Sequence, residues 1–468
     1  MDLGTANLHY LQLAELAALI KARKVSPVEA TRAQLDRIAA LDGALGSYAL
    51  VMADAAVAQA AAAEKEIAAG TYRGPLHGVP VAVKDLCWTT GVPTAGGMTI
   101  YRDFRPDQDA TVVRRLSEAG AVILGKLQLT EGAYADHHPA VAPPRNPWDA
   151  DYWTGASSSG SGAATAAGLC YGSLGSDTGG SIRFPSAANG LTGLKPSWGR
   201  VSRHGVFELA ATLDHIGPMT RSAVDAGIML GAIAGSDPND PTARLDPVPD
   251  YLADVGQGVR GMRIGVDAAW NSEGVDDATR AMVAAAIEVF RGLGAVIEPV
   301  TFPDVRQTIK DWIPACGVET AVAHEATYPA RKSEYGPALA GLIDTGRQLS
   351  GLDYQKILLR RHDVHGRVAT VLRSIDLLLI PAIPFSPPTL AMMRTLGEQP
   401  ELLTGLLQFT CPFDMTGDPT ITLPGGFTEG GLPMAFQLVA ADMNEAKLVR
   451  AGAAFQGVTS WHRRHPIT

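Results

Sequence analysis

The chain has few cysteines, few aromatic residues and no cluster of basic residues. Its 468 residues include only four cysteines and no CxxC pair, so neither a disulfide framework nor a zinc site is predicted. The net charge is −9 and no basic run could follow a phosphate backbone, which excludes nucleic acid as an expected partner. The uncharged stretches 377–393 and 152–176 are interrupted by prolines or by glycine and serine, so no membrane span is predicted.

The amino terminus and the composition indicate a folded protein of the cytoplasm. A secretory signal needs Lys or Arg near its start, whereas this chain has Asp2 and no apolar stretch after it. Free thiols fit a reducing compartment, so we expect a cytoplasmic location. Hydrophobic residues make up 46% of the chain and charged residues 19%, which provides for a large buried core and excludes a disordered chain.

Short apolar runs alternate with helical patterns along most of the chain. Residues 26–29 form a capping box with proline at the first helical position, and an Ala-rich helix is expected at 53–69. The alternation predicts an α/β fold with helices on both faces of a central mixed, mostly parallel β-sheet. No repeat or linker divides the chain, so we expect a single domain over 1–468. Strands are predicted at 79–83, 121–124, 169–174, 263–266, 377–380, 420–423 and 434–439, and further helices near 109–119, 276–293, 354–373 and 444–455.

A stretch rich in glycine and serine precedes a charged turn. Residues 152–176 carry no charge and twelve of the 25 are Gly or Ser, a composition that alone is typical of a flexible linker. The chain then continues as DTGGSIRFP over 177–185, which a linker does not usually do. Two glycines before a serine let several N–H groups converge beside its hydroxyl, as needed to hold a developing oxyanion. Ser181 is therefore a candidate nucleophile.

A serine nucleophile needs a base, and the familiar serine-hydrolase patterns do not supply one. The chain has no G-x-S-x-G, no GDSGG and no lysine three residues after a serine. Lys84 follows the apolar segment 78–83, which would carry it into the protein, and a buried lysine can be neutral at neutral pH. An ordinary surface lysine is the alternative. Asp177 and Arg183 are interpreted as a structural ion pair in preference to a pair of substrate-binding charges.

Three blocks resemble the amidase signature family in order and spacing. They are GVPVAVKD at 78–85, GASSSGS at 155–161 and DTGGSIRFP at 177–185, and further similar stretches lie at 145–149, 193–196, 417–419 and 423–427. The resemblance therefore covers nearly the whole chain. It implies one amidase domain with a helical segment at about 1–70, a signature core at about 75–225 and a variable substrate-pocket region at about 305–410.

The resemblance also implies a Ser–cis-Ser–Lys triad that needs no cofactor and no metal. In the family the two serines lie 24 positions apart, and counting back from Ser181 leads to Ser157. The resemblance thus assigns Ser181 as the nucleophile, Ser157 as the bridging serine in a cis peptide bond and Lys84 as the base. The implied oxyanion hole consists of the backbone N–H groups of Thr178, Gly179, Gly180 and Ser181.

The serine block departs from the family form, GGSSGGS, at two positions. Ala156 replaces a glycine before the serine pair, and Ser159 replaces one after it. Ser158 and Ser159 are therefore alternatives for the bridging residue, although only Ser157 keeps the spacing. Ser158 is otherwise expected to be structural near the site, together with Asp177 and Arg183.

A further segment is expected to bind the substrate. In the family the corresponding residues line the acyl pocket, and here they are Glu131, Gly132, Ala133 and Tyr134. His137 and His138 follow them, either at the rim of the pocket or in a simple loop. Specificity is expected to depend on the variable region 308–405.

The implied activity is hydrolysis of carbon–nitrogen bonds in small amides or anilides, with carbamates (a urethanase activity) and esters also open. The alternative is the glutamine-hydrolysing subunit of a tRNA-dependent amidotransferase. Family members that use glutamine tend to carry an Asp ten residues before the Gly of the C-terminal G-x-P, where this chain has Leu407. Asp414 is a neighbouring carboxylate, but the apolar surroundings favour an apolar pocket. A catalytically inactive binding relative ranks last, and a homodimer is left open.

Overall fold

One large sheet contains strands from both halves of the chain. The computed structural model describes residues 5–466, so Asp2 lies outside the described residues. The strands are β1 (Tyr48–Val51), β2 (Pro80–Lys84), β3 (Val122–Leu127), β4 (Gly172–Asp177), β5 (Thr192–Lys195), β6 (His215–Thr220), β7 (Arg263–Val266), β8 (Val296–Pro299), β9 (Leu377–Pro381), β10 (Thr420–Phe427) and β11 (Pro433–Val439). Their order in the sheet is β1-β3-β2-β4-β6-β5-β10-β11-β9-β7-β8.

Helices flank this sheet and connect its strands. The α-helices are α1 (Leu13–Lys21), α2 (Pro27–Leu45), α3 (Ala53–Ala68), α4 (Thr111–Glu118), α5 (Ser159–Ala166), α6 (Arg183–Asn189), α7 (Ala223–Ile233), α8 (Asp277–Gly292), α9 (Arg306–Ala323), α10 (Tyr328–Arg331), α11 (Pro337–Gln348), α12 (Gly351–Ser374), α13 (Leu390–Arg394), α14 (Pro400–Leu407), α15 (Cys411–Thr416) and α16 (Glu445–Val458). Short 3-10 helices span Thr5–Tyr10, Thr99–Tyr101, Glu131–Ala133, Val255–Gln257, Trp270–Ser272, Lys332–Glu334, Leu396–Glu398 and Trp461–Arg463.

The α/β fold with a mixed sheet is as predicted, but the expectation that the sheet is mostly parallel is wrong. Of the ten strand pairings in the described chain, six are antiparallel and four are parallel. The predicted strands did not include β5 and β6, which pair antiparallel with each other and with β10 and β4. A short turn joins β10 to β11, and such a connection permits only antiparallel pairing.

Local signals account for several of the predicted boundaries. Ser26 Oγ accepts hydrogen bonds from the N–H groups of Val28 and Glu29, so the capping box begins α2 as expected. The predicted strand at 169–174 instead begins at Gly172, because Leu169 and Cys170 are buried in the turn that precedes it. An apolar run in the sequence therefore indicates that the residues are buried, and it does not by itself show that all of them belong to a strand.

Two findings bear on the expectations from composition. All four cysteines are free and buried. Across residues 5–466, no helix has both the length and the apolar character needed to cross a membrane.

Parallel pairing of β2 with β4 determines where polar residues meet. Ala82 pairs with Ser173 and Val83 with Leu174, so the carboxyl ends of the two strands lie at one edge of the sheet. Lys84 ends β2 and Asp177 ends β4. The helix α5 approaches this edge closely because it has Gly160, where a Cβ would lie 2.4 Å from the Ser47 carbonyl oxygen.

Candidate active site

Lys84 is completely buried and surrounded by hydroxyl groups. Its Nζ lies 2.7 Å from Ser157 Oγ, 2.9 Å from Ser158 Oγ and 2.8 Å from Ser176 Oγ. Its relative exposure is 0%, so the alternative of an ordinary surface lysine is wrong. Three partners satisfy an ammonium group, which donates three bonds, and equally a neutral amine, which donates two and accepts one.

Burial lowers the pKa of Lys84 from its ordinary 10.5 to about 7. The negative charges of Asp177 and Asp214 raise the pKa and so oppose part of this effect. Because a charged amine is poorly solvated in this interior, the neutral form is well populated near neutral pH. Lys84 therefore has the property required of a general base.

The three consecutive serines have different partners. The Ala156–Ser157 peptide bond is cis, and the Ser157 hydroxyl bonds only to Lys84 among the described residues. Ser158 Oγ donates to the Ser176 carbonyl oxygen at 3.2 Å and accepts from the Ser176 N–H, in addition to its bond with Lys84. Ser159 Oγ lies 3.2 Å from His137 Nε2. Of the three, Ser157 alone has a hydroxyl whose only hydrogen-bond partner among the described residues is the Lys84 amine.

The candidate nucleophile lies on a tightly turned loop between β4 and α6. Ser181 is half-buried, whereas its neighbours from Asp177 to Gly180 are buried. Gly180 has φ 139°, and a Cβ there would lie 2.3 Å from the Phe184 ring. Only glycine can adopt this turn, which explains the residue directly before the serine.

The Asp177 carboxylate holds this loop from inside. It accepts hydrogen bonds from the N–H groups of Gly180 at 2.6 Å and Ile182 at 2.9 Å. The Gly180 N–H, which the sequence assigned to the oxyanion hole, is thus already engaged. Within the part of the chain that the structure describes, the N–H groups of Thr178, Gly179 and Ser181 have no protein acceptor.

A buried ion pair network fixes the loop to the rest of the fold. Arg183 Nη2 lies 2.9 Å from Asp177 Oδ1 and 2.5 Å from Asp414 Oδ2, and all three side chains are fully buried. Although burial favours the neutral acid, the guanidinium lowers the pKa of Asp177, whereas burial raises the pKa of Asp414 well above its ordinary value.

The segment expected to bind substrate divides into two parts. Both carboxylate oxygens of the buried Glu131 accept from the Gly336 N–H, at 3.0 and 2.9 Å, so its contacts anchor the loop before α11. Gly132 packs against Leu339, where a Cβ would lie 2.7 Å from Cδ2. Tyr134 is half-buried, and burial raises the pKa of its phenol.

Ala133 alone of this segment lines a small cavity. Ser176, which bonds to Lys84, lies on the wall of the same cavity. The remaining wall is mainly apolar, with a polar side formed by three charged groups. The full lining comprises Ala133, Ser176, Arg203, Val206, Phe207, Glu208, Leu209, Asp214 and Ile216.

Several residues at the site were not predicted from the sequence. Asp214 accepts from Thr178 Oγ1 at 2.5 Å, and burial raises its pKa to about 6. Trp312 donates from Nε1 to the Thr178 carbonyl oxygen at 2.8 Å. Ser176 directly precedes the DTGGS block, a position that could have suggested it. Asp214 and Trp312 come from later segments, and no local pattern indicates that they reach the loop.

The described residues contain no group of three His, Cys, Asp or Glu side chains suited to hold a metal ion. Besides the carboxyl groups of Asp177 and Asp214, the site holds hydroxyls, one amine and backbone N–H donors. Together they can activate a hydroxyl and stabilise negative charge on an oxygen.

The chain is similar to known proteins along nearly its full length. The family model described as Amidase matches residues 29–449. "Putative amidase AmiD" of Mycobacterium tuberculosis is 50% identical over 457 residues, which cover 97% of this chain and 96% of that protein. A glutamyl-tRNA(Gln) amidotransferase subunit of Geobacter sp. is 37% identical over 479 residues, which cover 97% of this chain and 98% of that protein.

A solved structure extends the similarity to the fold. A bacterial aryl acylamidase, described as belonging to the amidase signature enzymes, superposes with a TM-score of 0.86 at 26% sequence identity. The match covers 97% of each chain. The family model, the relatives and this structure agree on the family. The chain belongs to the amidase signature family and is an amide carbon–nitrogen hydrolase.

Proposed function

We propose that the protein hydrolyses small amides or anilides through an acyl-Ser181 intermediate. In this proposal Ser181 is the nucleophile, Ser157 transfers protons and Lys84 is the base. The observation that carries it is the bond of 2.7 Å between Ser157 Oγ and a fully buried Lys84 whose pKa is about 7. Ser158 and Ser159 are less suited to the bridging role because their hydroxyls bond to Ser176 and His137.

The proposed reaction moves two protons and exchanges one acyl group. Neutral Lys84 takes the proton of Ser157, which takes the proton of Ser181 as its oxygen attacks the substrate carbonyl carbon. The carbon–nitrogen bond then breaks, and the relay returns a proton to the departing amine. Water attacks the acyl-enzyme through the same groups, which releases the acid and restores Ser181.

The negative charge of the tetrahedral intermediate needs fixed donors. We assign this role to the free N–H groups of Thr178, Gly179 and Ser181, since the Gly180 N–H donates to Asp177. Removal of one such donor in other enzymes costs on the order of 10²–10³ in turnover. The Asp177 bond has a supporting role because it maintains the turn that orients the remaining donors.

We propose that the cavity beside Ser176 accepts an apolar part of the substrate. Val206, Phe207, Leu209 and Ile216 provide its apolar wall, against which an apolar substituent could pack. The ring of Phe207 stacks on Tyr101 with a centroid distance of 5.0 Å, a contact that supports this wall. Carbamates and esters with such groups are further substrates within the same chemistry.

The alternative, glutamine hydrolysis as one component of an amidotransferase, has the support of the 37% identical Geobacter relative. Two observations favour the free-standing amidase. Leu407, at the position of the expected glutamine-binding Asp, is buried and apolar. The neighbouring carboxylate of Asp414 is buried against Arg183 at 2.5 Å, so it is not free to bind an amino group.

We also propose that the protein works in a reducing compartment such as the cytoplasm. All four thiols are free and buried, which fits that location.

A substrate panel with trapping of the intermediate tests the proposed function. The panel contains p-nitroacetanilide, an aliphatic amide, an aryl carbamate, an aryl ester and glutamine, and acid-quenched samples are analysed by intact mass. We expect amine release from the anilide or apolar amide and an acyl adduct on Ser181, both absent from Ser181→Ala. Preferential hydrolysis of glutamine would favour the amidotransferase alternative. A folded protein without turnover or adduct would indicate an inactive relative.

A further inference from the structure

The indole of Trp312 contacts the oxyanion loop at two adjacent residues. Its Nε1–H donates to the Thr178 carbonyl oxygen at 2.8 Å, and its ring lies against Gly179. A Cβ on Gly179 would be 2.4 Å from the indole Cζ2, so the ring leaves room only for glycine. Trp312 is 7% exposed, and a hydrogen bond of this length in a buried site is well formed.

The carbonyl that Trp312 holds belongs to the same peptide group as the Gly179 N–H. A trans peptide is planar, and its C=O and N–H point in opposite directions. Fixing the Thr178 oxygen therefore fixes the direction in which the Gly179 N–H points. That N–H is one of the donors without a protein acceptor in residues 177–182.

We propose that Trp312 is a positioning residue that aims the Gly179 N–H at the developing oxyanion. The inference rests on the proposed function of Ser181 and extends it to a helix from the variable region. No pattern in the sequence around Trp312 assigns it this role.

Neighbouring side chains hold both Trp312 and the Thr178–Gly179 peptide in place. Arg360 binds the Asp311 carboxylate through two nitrogens, at 2.6 and 2.8 Å, which secures the turn of α9 that carries Trp312. On the other side, the Thr178 hydroxyl donates to Asp214 at 2.5 Å. The Thr178–Gly179 peptide group is thus held by two hydrogen bonds, one through the Thr178 side chain and one through the Thr178 carbonyl oxygen.

Trp312→Phe tests the inference because it keeps an aromatic ring and removes the N–H donor. The matched control is Trp148→Phe, which removes an indole bond of 2.9 Å to the Asn189 carbonyl oxygen away from the oxyanion loop. The probe is diisopropyl fluorophosphate, whose phosphoryl oxygen gains charge as Ser181 attacks. Intact mass against time and concentration separates the maximal labelling rate from the half-saturating concentration.

We expect Trp312→Phe to lower the maximal labelling rate about tenfold, with the half-saturating concentration changed less than twofold. Trp148→Phe is expected to label within twofold of the wild type, and circular dichroism checks that both variants are folded. Equal maximal rates in Trp312→Phe and wild type would overturn the inference alone. So would a loss that Trp148→Phe reproduces, because it would reflect packing. An unlabelled wild type would overturn the proposed function and this inference with it.

Discussion

The activity of Ser181 is expected to depend on the protonation of Lys84. The reactive form is the neutral amine, so the labelling rate with diisopropyl fluorophosphate falls as pH decreases through the pKa of Lys84, which is about 7. A base of that pKa is neutral in about 9% of molecules at pH 6 and about 1% at pH 5. We therefore expect about a tenfold loss of rate for each pH unit below 6.

The burial of Lys84 determines how much of the neutral base is present at neutral pH. An exposed lysine with the ordinary pKa of 10.5 would be neutral in only about 3 of 10⁴ molecules at pH 7, against about half for Lys84. Removal of the amine from water thus increases the population of the base about a thousandfold at neutral pH. Lys84→Arg retains the charge but cannot lose a proton, so it is expected to abolish labelling at every pH tested.

A second group near the site could produce a similar profile. Asp214 has a pKa raised to about 6 by burial, and its negative charge raises the pKa of Lys84. In Asp214→Asn the fall in labelling rate at acid pH should persist. Its midpoint should move to lower pH, because the pKa of Lys84 falls when the lysine loses a neighbouring negative charge. If Asp214→Asn no longer loses labelling rate at acid pH, the pH dependence belongs to the Asp214 carboxyl group. A wild-type midpoint above pH 9, or a wild-type rate that does not fall at acid pH, would refute the assignment of Lys84 as base.

Two further substitutions separate structural from chemical roles. Arg183→Met leaves the buried Asp177 carboxylate without its counter-charge and is expected to lower the free energy of unfolding by about 3–5 kcal/mol, measured by urea denaturation. An unchanged midpoint would contradict this. Ser159→Gly removes only the hydrogen bond to His137, so the labelling rate of the active serine is expected to stay within about threefold of wild type. A loss of labelling rate above tenfold would instead make the Ser159 hydroxyl part of the proton relay.

Sequence patterns predicted the parts of the fold and the site that depend on local chemistry. The capping box at Ser26 begins α2, and the strand before Lys84 carries it into the interior. Consecutive glycines before Ser181 predicted a tight turn, and Gly180 has the positive φ that such a turn requires. These signals act through neighbouring residues, so they can be recognised without the fold.

What the sequence did not indicate depends on contacts between distant segments. Asp214 and Trp312 reach the loop from the turn before β6 and from α9, and nothing in their flanking residues distinguishes them. The prediction of a mostly parallel sheet was wrong because the sequence analysis did not recognise β5 and β6 as strands. Gly180 was assigned as an oxyanion donor, whereas its N–H bonds to Asp177, a competition that only the folded loop reveals.

The central claim is that Ser157 passes a proton from Ser181 to Lys84. The most direct measurement compares the diisopropyl fluorophosphate labelling rates of wild type, Ser157→Ala and Ser158→Ala, with the modified peptide identified by mass. We expect Ser181 to be labelled in the wild type, about a hundredfold or more slowly in Ser157→Ala, and within about tenfold of wild type in Ser158→Ala. Equal labelling of Ser157→Ala and wild type, or the larger loss in Ser158→Ala, would contradict the proposed relay.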